Sequence, residues 1–539
     1  MPVLTISAED LKSLIRRKIS DDELKEVLPL NKMEIDSWVD DEIRVEITPD
    51  RPDLYSVEGI ARQVNGWLGI KTGIQGKILS KHRIHMRADN SNSRPYIVAG
   101  IVRGLKMNEH LVKSLMQLQE LIDLSLGRDR RKVAIGVHNL DEIKPPLHYK
   151  DMSPRAVKFV PLNSSEVMNL SEVLEKHPKG IGYKHLLSRH RKYPVILDRR
   201  GVISFPPIIN SERTRVTERT KNLFFDITGT DKTAINYSLN ILMTALSMRG
   251  GRMEAVRINT TKTPHLRPRP VKLDIELTKR LLGLNIKDSE IKTLLERMCY
   301  GVNLKDDVVY VPPYRFDILH PVDIVEDIAI AYGYNNFDPE IPSHATVGSS
   351  LPIEEHSNTI RRIMTGLGFQ ETINYTLSSK EKLTRKMRTR GSVIEISNPV
   401  TSEYSACRNR LLPSVLQNLV SNKHRRFPQK IFEISDALIR DKKADTHVRN
   451  NRNIAVVVSH STTGLSEILS ILNVLKDNLS ISWKLSPISH KTFIRGRCAK
   501  IKLGRKEIGM VGEIHPHVLE GFDIKTPVSA FEIDVEAIL

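Results

Sequence analysis

Two spacings of apolar residues divide the chain into strands and helices, and the clearest example lies between residues 308 and 333. The apolar run of residues 308–311 predicts a strand, which Pro312 and Pro313 end because proline has no amide donor. Pro321 is a favoured first residue of a helix, and Gly333 is a natural end. Between them, apolar residues recur at helical spacing, at Ile324, Val325, Ile328, Ala329 and Ala331.

The same patterns predict alternating strands and helices in the first half of the chain. Ser7 and Ser20 are placed to cap two short N-terminal helices, and apolar residues alternate over 43–47, as in a half-exposed strand. Buried strands are predicted over 96–102 and 132–138. A hairpin turning at residues 198–201 joins strands 195–197 and 202–205, and a further strand covers 224–229.

The second half of the chain predicts a separate set of elements. Three prolines within residues 263–270 are typical of a linker. Further on, a helix closed by Gly368 precedes predicted strands over 371–377, 393–396 and 431–434, with a helix at 413–422. We see no full-domain internal repeat.

Composition indicates a modular protein with an anionic partner. A chain of 539 residues exceeds what one hydrophobic core usually supports, so several domains are expected. The net charge of +18 makes a nucleic acid the first candidate partner, although aromatic residues at 5% argue against base stacking as the main contact. No apolar run approaches membrane-spanning length and no N-terminal pattern of a signal peptide is visible, so we expect a soluble protein; cysteines that suggest no disulfide framework fit a reducing cytoplasm.

Three cysteines, Cys299, Cys407 and Cys498, lie far apart and predict neither a zinc cluster nor a disulfide framework. Phosphate-binding patterns of the GxxxxGK and GxGxxG types are absent, as is HExxH. The sequence therefore offers no standard nucleotide loop or zinc protease site.

Carboxylates cluster on the predicted helix after Pro321. Asp323, Glu326 and Asp327 are spaced to share one helix face, and Asp317 lies six residues upstream in the preceding loop. Hard oxygen ligands of this kind suit magnesium. The alternative is structural, because acids in a first helical turn complement the helix dipole and an exposed acidic face is common.

Two other groups of residues leave functional and structural interpretations open. Arg51, in the turn TPDRPDL, either contacts a partner or pairs with Asp50 or Asp53 to brace the turn. His138 ends a predicted strand without a second histidine or cysteine at ligand spacing, so we expect a hydrogen-bonded structural histidine.

Several of these segments resemble one protein family. The stretch YRFDILHPVDIVEDIAIAYGYNNF is similar to a signature of phenylalanyl-tRNA synthetase beta subunits of the archaeal and eukaryotic-cytosolic type. TPDRPDLYSVEGIARQVNGWLG resembles the family's N-terminal signature, and the segments from Asn398 and near the C-terminus resemble its last module. The resemblance extends over nearly the whole chain.

The resemblance implies an α+β multidomain fold with five parts. They are an N-terminal α/β module (1–84), a mixed α/β tRNA-editing domain (85–262), a linker (263–270), a small helical, winged-type domain carrying the acidic motif (271–345), and a non-catalytic domain with the antiparallel sheet of class II synthetases (350–539). Arg408 and Arg410 in that last domain are then expected to be structural or interface residues rather than ligands of nucleotide phosphates.

It also implies an editing pocket that hydrolyses tyrosine wrongly attached to phenylalanine tRNA. Leu197, Ser204, Asp226 and Thr228 match the family's pocket positions. A second site of this kind binds the extra hydroxyl of tyrosine, which a phenylalanine pocket alone rejects only moderately. Since no Ser-His-Asp order is apparent, we expect a positioned water rather than a protein nucleophile.

The family further implies its cofactor and its partners. Asp317, Asp323, Glu326 and Asp327 match a Mg2+ site shared with the alpha subunit, which binds ATP as substrate. We therefore expect ATP-dependent attachment of phenylalanine to its tRNA by two alpha and two beta chains, with no membrane partner. The alternatives are a non-catalytic RNA-binding scaffold of the same fold and a lone editing hydrolase that acts without a partner.

Overall fold

The structure of the chain is a computed structural model that describes residues 2–74, 84–343 and 346–539. The chain forms two compact units, Met1–Ile341 and Pro342–Leu539. The predicted domain border at residue 84 lies beside residues 75–83, and the predicted border at residue 345 lies within residues 344–345. Residues 75–83 and 344–345 are outside the described residues. The five-part division stays a prediction.

The described part of the first unit contains four sheets. A three-stranded sheet has the order β1-β3-β2, a ten-stranded sheet has the order β12-β11-β10-β7-β4-β14-β5-β13-β6 with β15 paired to β14, and the others have the orders β16-β18-β17 and β8-β9. The strands are β1 (Val3–Ser7), β2 (Met33–Val39), β3 (Glu42–Ile47), β4 (His85–Ala88), β5 (Tyr96–Arg103), β6 (Val133–Asn139), β7 (Leu147–Met152), β8 (Lys158–Phe159), β9 (Met168–Asn169), β10 (Tyr193–Asp198), β11 (Gly201–Phe205), β12 (Ile209–Asn210), β13 (Leu223–Gly229), β14 (Arg252–Ile258), β15 (Thr261–Thr263), β16 (Arg269–Lys272), β17 (Gly301–Asn303) and β18 (Val308–Val311).

Helices cover these sheets and bury their apolar faces against them. They are α1 (Ala8–Leu14), α2 (Asp21–Val27), α3 (Val57–Trp67), α4 (Glu109–Leu124), α5 (Leu170–Lys176), α6 (Pro178–Tyr183), α7 (Lys232–Met248), α8 (Ile275–Leu282), α9 (Asp288–Arg297) and α10 (Pro321–Tyr332). The predicted caps are present: the Ser7 and Ser20 hydroxyls accept hydrogen bonds from the amides of Asp10 and Glu23. Helix α10 begins at Pro321 and ends before Gly333, whose φ of +95° favours glycine.

The second unit is built on a seven-stranded sheet of order β19-β23-β24-β28-β27-β26-β25, with a small sheet β20-β22-β21 beside it. The β19–β23 pair is parallel and the other pairs are antiparallel. The elements are α11 (Pro352–Gly366), β19 (Gln370–Glu371), β20 (Leu377–Ser378), β21 (Ile394–Glu395), β22 (Ala406–Cys407), α12 (Leu412–Ser421), β23 (Gln429–Arg440), β24 (Val448–Ser459), α13 (Leu465–Asn478), β25 (Lys484–Pro487), β26 (Phe493–Leu503), β27 (Lys506–Ile514), α14 (Pro516–Phe522) and β28 (Val528–Asp534).

The predicted α+β multidomain class is confirmed by this mixture of sheets and helices. One predicted strand is different: residues 371–377 do not form a continuous strand, because pairing with β23 ends after Glu371. Asn374 instead donates its backbone amide and its side-chain amide to the carboxylate of Glu433. No helix among the described residues is long and apolar enough to cross a bilayer.

Candidate functional site

The ten-stranded sheet of the first unit borders a cavity of about 420 Å³. Its walls come from β6, from β11 and the segment that follows it, and from Asp226 of β13. Strand β13 lies between β5 and β6, and its register places Asp226 directly opposite Gly136. The volume lies within the range of pockets that bind small molecules, roughly 300–1,000 Å³.

A chain of three buried side chains, Asp226, His138 and Thr214, lies at this cavity. His138 Nε2 is 2.6 Å from Asp226 Oδ2, and His138 Nδ1 is 2.8 Å from the Thr214 hydroxyl. All three are at most 1% exposed, while Asp226 and Thr214 both line the cavity. In the tautomer that we assign from these contacts, Nε2–H donates to the carboxylate and Nδ1 accepts from the hydroxyl.

This arrangement can move a proton. A carboxylate that fixes one ring nitrogen leaves the other able to accept a proton from a hydroxyl, and that is the order of a hydroxyl–imidazole–carboxylate triad. The expectation that His138 is hydrogen-bonded agrees with these contacts, but its partners were not predicted. The Thr214 hydroxyl is also 3.2 Å from the Ser211 carbonyl oxygen, so it has a second acceptor.

The four residues predicted for this pocket occupy different places. Ser204 and Asp226 line the cavity, and the Ser204 hydroxyl donates to Asn210 Oδ1 at 3.2 Å. Thr228, two residues after Asp226 on β13, is fully buried, and the Arg94 Nε–H donates to its hydroxyl at 3.0 Å. Leu197 on β10 packs against an apolar cluster and is not among the lining residues. Their assignment to an editing pocket stays a prediction.

Gly136 is a site residue that the sequence pattern did not reveal. A Cβ added there would lie 2.2 Å from Asp226 Oδ2 and 2.9 Å from His138 Nε2, so only glycine leaves room for this pair. The glycine stands within an apolar strand, and nothing in the sequence alone shows which residue of β13 faces it.

Basic side chains line part of the cavity. Arg130 and Lys179 line it, and the Arg130 guanidinium donates to the carbonyl oxygens of Pro207 and Ile208 at 3.1 and 3.0 Å. Arg130 Nε also lies 3.3 Å from Asp123, but burial outweighs this attraction and raises the pKa of Asp123 to about 7. The charged residues that line the cavity are thus of both signs, namely Arg130, Lys179 and Arg215 with Glu120 and Asp226.

The acidic motif of the first unit consists of Asp317, Asp323, Glu326 and Asp327, and it combines buried and exposed carboxylates. The Arg315 guanidinium binds Asp317 at 2.8 and 2.6 Å and Asp327 at 2.7 Å, and Tyr300 donates its hydroxyl to Asp327. Asp323 accepts from the amides of Leu319 and His320 at 2.7 Å each, as an N-terminal cap of α10. This capping is the structural role that the sequence left open for a first-turn acid.

Glu326 is the most exposed of the four acids. Its side chain is 47% exposed and pairs with Lys32 at 3.0 Å. Burial lowers the pKa of Lys32, but the hydrogen bonds and charges of Glu326 and Asp50 outweigh that effect and raise it overall. Within residues 2–74, 84–343 and 346–539, no three histidine, cysteine or acidic side chains converge as metal ligands. Among the described residues, the four acids therefore form no ready-made cluster of metal ligands.

An exposed apolar patch adjoins this motif. Leu319, Val322 and Tyr334 lie just before, within and just after α10 and are 83%, 44% and 55% exposed. Leu319 and Val322 at the start of α10 form this patch, whereas Tyr334 follows the other end of the helix, roughly 18 Å along its axis. Exposed apolar side chains of this kind are typical of contacts with another protein.

Arg408 of the second unit is buried. Its guanidinium lies 2.7 Å from the fully buried Glu433 and donates to the Asp436 carbonyl oxygen. A buried, paired guanidinium is not available to nucleotide phosphates, which agrees with the structural role expected for Arg408.

Comparison with known proteins first defines the class of the chain. Three family models match: the B3/4 domain over residues 103–256, the tRNA synthetase B5 domain over 271–334, and the phenylalanyl tRNA synthetase beta chain CLM domain over 338–535. The cavity lies in the segment that matches the B3/4 domain, and the acidic motif lies in the segment that matches the B5 domain. The chain is thus built from domains of an aminoacyl-tRNA synthetase.

Whole-chain similarity identifies the family. The chain is 40% identical to the phenylalanine–tRNA ligase beta subunit of Methanocaldococcus jannaschii, over 99% of this chain and 100% of that one. It is 39% identical to that of Archaeoglobus fulgidus, over 100% and 98%. A crystal structure of an N-terminal fragment of the Pyrococcus horikoshii beta subunit aligns with 61% of this chain and 99% of the fragment, with 40% identity and a TM-score of 0.59. The chain belongs to the family of phenylalanine–tRNA ligase beta subunits, and the predicted resemblance is confirmed.

Proposed function

We propose that this chain works as the beta subunit of phenylalanine–tRNA ligase, in an assembly of two alpha and two beta chains. The alpha subunit binds ATP and attaches phenylalanine to its tRNA, and this chain contacts the tRNA and clears tyrosine attached in error. Family membership over the whole chain supports the ligase role. The observation that carries the hydrolytic role is the hydrogen-bonded chain Asp226–His138–Thr214 beside a cavity. A cytoplasmic location fits a component of translation.

Hydrolysis of tyrosyl-tRNA adds water across the ester between the tyrosine carboxyl group and a ribose hydroxyl. The products are free tyrosine and tRNA. Asp226 holds the His138 ring in the orientation that leaves Nδ1 facing Thr214, so a proton removed at that hydroxyl has a defined acceptor. The hydroxyl either holds the attacking water or reacts itself, and the first of these agrees with the positioned water expected from the sequence.

Selectivity against phenylalanine requires polar groups that recognise the tyrosine hydroxyl. Ser204 and Asn210 give the cavity such groups among its apolar residues, while Asp226 is already bound to His138. A site built to hydrogen-bond a hydroxyl rejects the analogue that lacks it, because the buried polar groups would then be left unpaired. We propose that the cavity accepts the tyrosyl end of mischarged tRNA and discriminates against the phenylalanyl end on this basis.

The test is deacylation of tyrosyl-tRNA for phenylalanine by the assembled enzyme. Asp226→Asn and His138→Gln are expected to lower the rate by about 100-fold or more, as is typical when a positioned acid or base is lost. Phenylalanine charging should remain near the wild-type rate because it takes place in the alpha subunit. Wild-type deacylation by both variants would refute the hydrolytic role of this cavity and leave the ligase role untouched.

Thr214 distinguishes the two forms of the mechanism. Thr214→Val keeps the shape of the side chain and removes the hydroxyl. Complete loss of deacylation is expected if the hydroxyl reacts, whereas a residual rate of a few per cent is expected if it only holds water. Thr214→Ser should restore activity in both cases, which provides the matched control.

The Mg2+ site shared with the alpha subunit also remains a proposal. Asp323 and Glu326 are the two acids of the motif that Arg315 does not bind. They lie at the start of α10, which also carries Val322 of the exposed apolar patch. We propose that this patch meets the alpha subunit and that the ion, when bound, links the two chains by ordinary carboxylate coordination.

A further inference from the structure

A groove in the second unit is lined by cations and by no carboxylate. It has a volume of about 730 Å³ and lies where α11 and α12 end and β23 begins. Its charged lining residues are Arg425, Arg426 and Lys430, and its uncharged ones include the amides of Gln370 and Asn422. The groove thus differs from the hydrolytic cavity of the first unit, whose lining carries both signs of charge.

The charge of the groove follows from a stretch of sequence without acids. No aspartate or glutamate occurs from residue 404 to residue 432, although six lysines and arginines do. Soluble proteins ordinarily intersperse both signs of charge on their surfaces. The segment 422–428, which joins α12 to β23, is exposed throughout. Its cations therefore face solvent beside the groove.

The guanidinium groups of Arg425 and Arg426 are available for a ligand. Within residues 2–74, 84–343 and 346–539, neither group makes a hydrogen bond or an ion pair. The carbonyl oxygens at the end of α12, which could attract them, already have donors. The side-chain amide of Asn422 donates to the Asn418 carbonyl oxygen at 2.9 Å, and that of Gln429 donates to the Asn422 carbonyl oxygen at 2.9 Å.

Two acids on neighbouring elements have partners of their own. Glu371 in β19 lies 2.7 Å from Arg361. Glu467 in α13 lies 2.7 Å from His460, whereas its distance from Lys430 is 3.9 Å. Neither acid lines the groove. A negatively charged ligand would therefore meet the cations of the groove without a carboxylate among them.

The phosphate groups of RNA suit this groove in three respects. A guanidinium matches the geometry of a phosphate through two parallel hydrogen bonds. Two adjacent guanidiniums repel each other, and a chain of regularly spaced phosphates relieves that repulsion at both. Phe427 directly follows Arg426 and is 45% exposed, so it offers an aromatic face on which an unpaired base can stack.

We propose that the groove formed by Arg425, Arg426 and Lys430 binds backbone phosphates of RNA, with Phe427 stacking on a base at its edge. The inference rests on the proposed contact with tRNA and deepens it, because it assigns a place on the second unit to that contact. It is independent of the hydrolytic cavity.

The test is binding of tRNA by the assembled enzyme, measured by fluorescence anisotropy at several salt concentrations. The double variant Arg425→Gln, Arg426→Gln removes two phosphate contacts. Each contact with a single strand contributes about 0.7 to the slope of log affinity against log salt, so the slope should fall by about 1.4. The affinity near physiological salt should fall about tenfold for the same reason.

The matched control is Arg505→Gln, Lys506→Gln. It removes the same charge from exposed residues at the turn between β26 and β27, which do not line the groove. We expect it to keep the wild-type slope. Equal losses in the two double variants would overturn the proposal, because net charge alone would then explain the effect. A wild-type enzyme that binds no tRNA would instead refute the proposed function itself.

Two further measurements distinguish other occupants of the groove. Millimolar inorganic pyrophosphate is expected to change the unfolding temperatures of the wild type and of the Arg425→Gln, Arg426→Gln variant equally. Stabilisation of the wild type alone, with equal tRNA affinities, would overturn the proposal in favour of a small phosphate ligand. Sedimentation should show that the variant still assembles with the alpha subunit. Loss of assembly would overturn the proposal by showing that the groove faces a protein.

Discussion

Replacing Gly136 by alanine is expected to disable the candidate hydrolytic site without unfolding the domain. The new Cβ would stand 2.2 Å from Asp226 Oδ2, so the carboxylate must retreat by roughly 1 Å to reach an ordinary van der Waals separation. That movement breaks the 2.6 Å contact between Asp226 and His138. Loss of a hydrogen bond to a charged group is worth about 1.5–3 kcal/mol, and a misplacement of about 1 Å can slow catalysis about 100-fold.

The assay is deacylation of tyrosyl-tRNA by the assembled enzyme, with phenylalanine charging measured on the same preparation. Gly100→Ala is the matched control, because Gly100 lies on β5 opposite Phe225 and its added Cβ would meet the Met243 side chain at 2.3 Å. Methionine is flexible and can move aside. We expect Gly136→Ala to lose about 100-fold in deacylation while Gly100→Ala keeps most of it. Equal deacylation rates for the two variants would refute the role given to the Asp226–His138 pair.

Three further predictions concern other parts of the first unit. Burial raises the pKa of Asp123 to about 7, so the contribution of its protonated form to stability is complete below about pH 4 and is lost as the pH rises to 7. Urea unfolding should therefore show that Asp123→Asn is more stable than wild type at pH 8. A gain in stability confined to pH 5 would contradict this. Leu319→Asp should lower the affinity for the alpha subunit by at least about tenfold, measured by sedimentation or calorimetry, because it places a charge in the exposed apolar patch. An unchanged affinity would show that Leu319 is not part of the interface. Arg191 and Lys192 are exposed in the basic run of residues 189–192 before β10 and are expected to contact tRNA phosphates. Their double alanine variant should lower the slope of log affinity against log salt by about 1–2, whereas an equal effect of a Lys442→Ala, Lys443→Ala variant would show that only net charge matters.

Local signals in the sequence were sufficient for the elements that carry the acidic motif. Helix α10 begins at Pro321 and ends before Gly333, whose φ is positive, as the helical spacing predicted. Helical spacing also placed Asp323, Glu326 and Asp327 on one face. It could not show that Asp327 is 1% exposed and Glu326 47%, because their partners, Tyr300 and Lys32, come from distant parts of the chain.

The hydrolytic site shows a second limit of local patterns. Asp226 was found by resemblance, but His138, Thr214 and Gly136 come together with it only through the pairing of β13 with β6 and the path of the segment after β12. Such contacts between distant residues depend on strand register, which a single sequence specifies only through the complete fold. In the same way, Asn374 donates a hydrogen bond to the distant Glu433 and is not part of the strand that was predicted over residues 371–377.

We propose that this chain is one subunit of a ligase built from two kinds of chain. The most direct measurement is charging of phenylalanine tRNA in the presence of ATP and Mg2+, comparing the purified chain, a purified alpha subunit and their mixture. We predict that only the mixture forms phenylalanyl-tRNA. Charging by this chain alone, or a stable complex of both chains that charges no tRNA, would contradict the account.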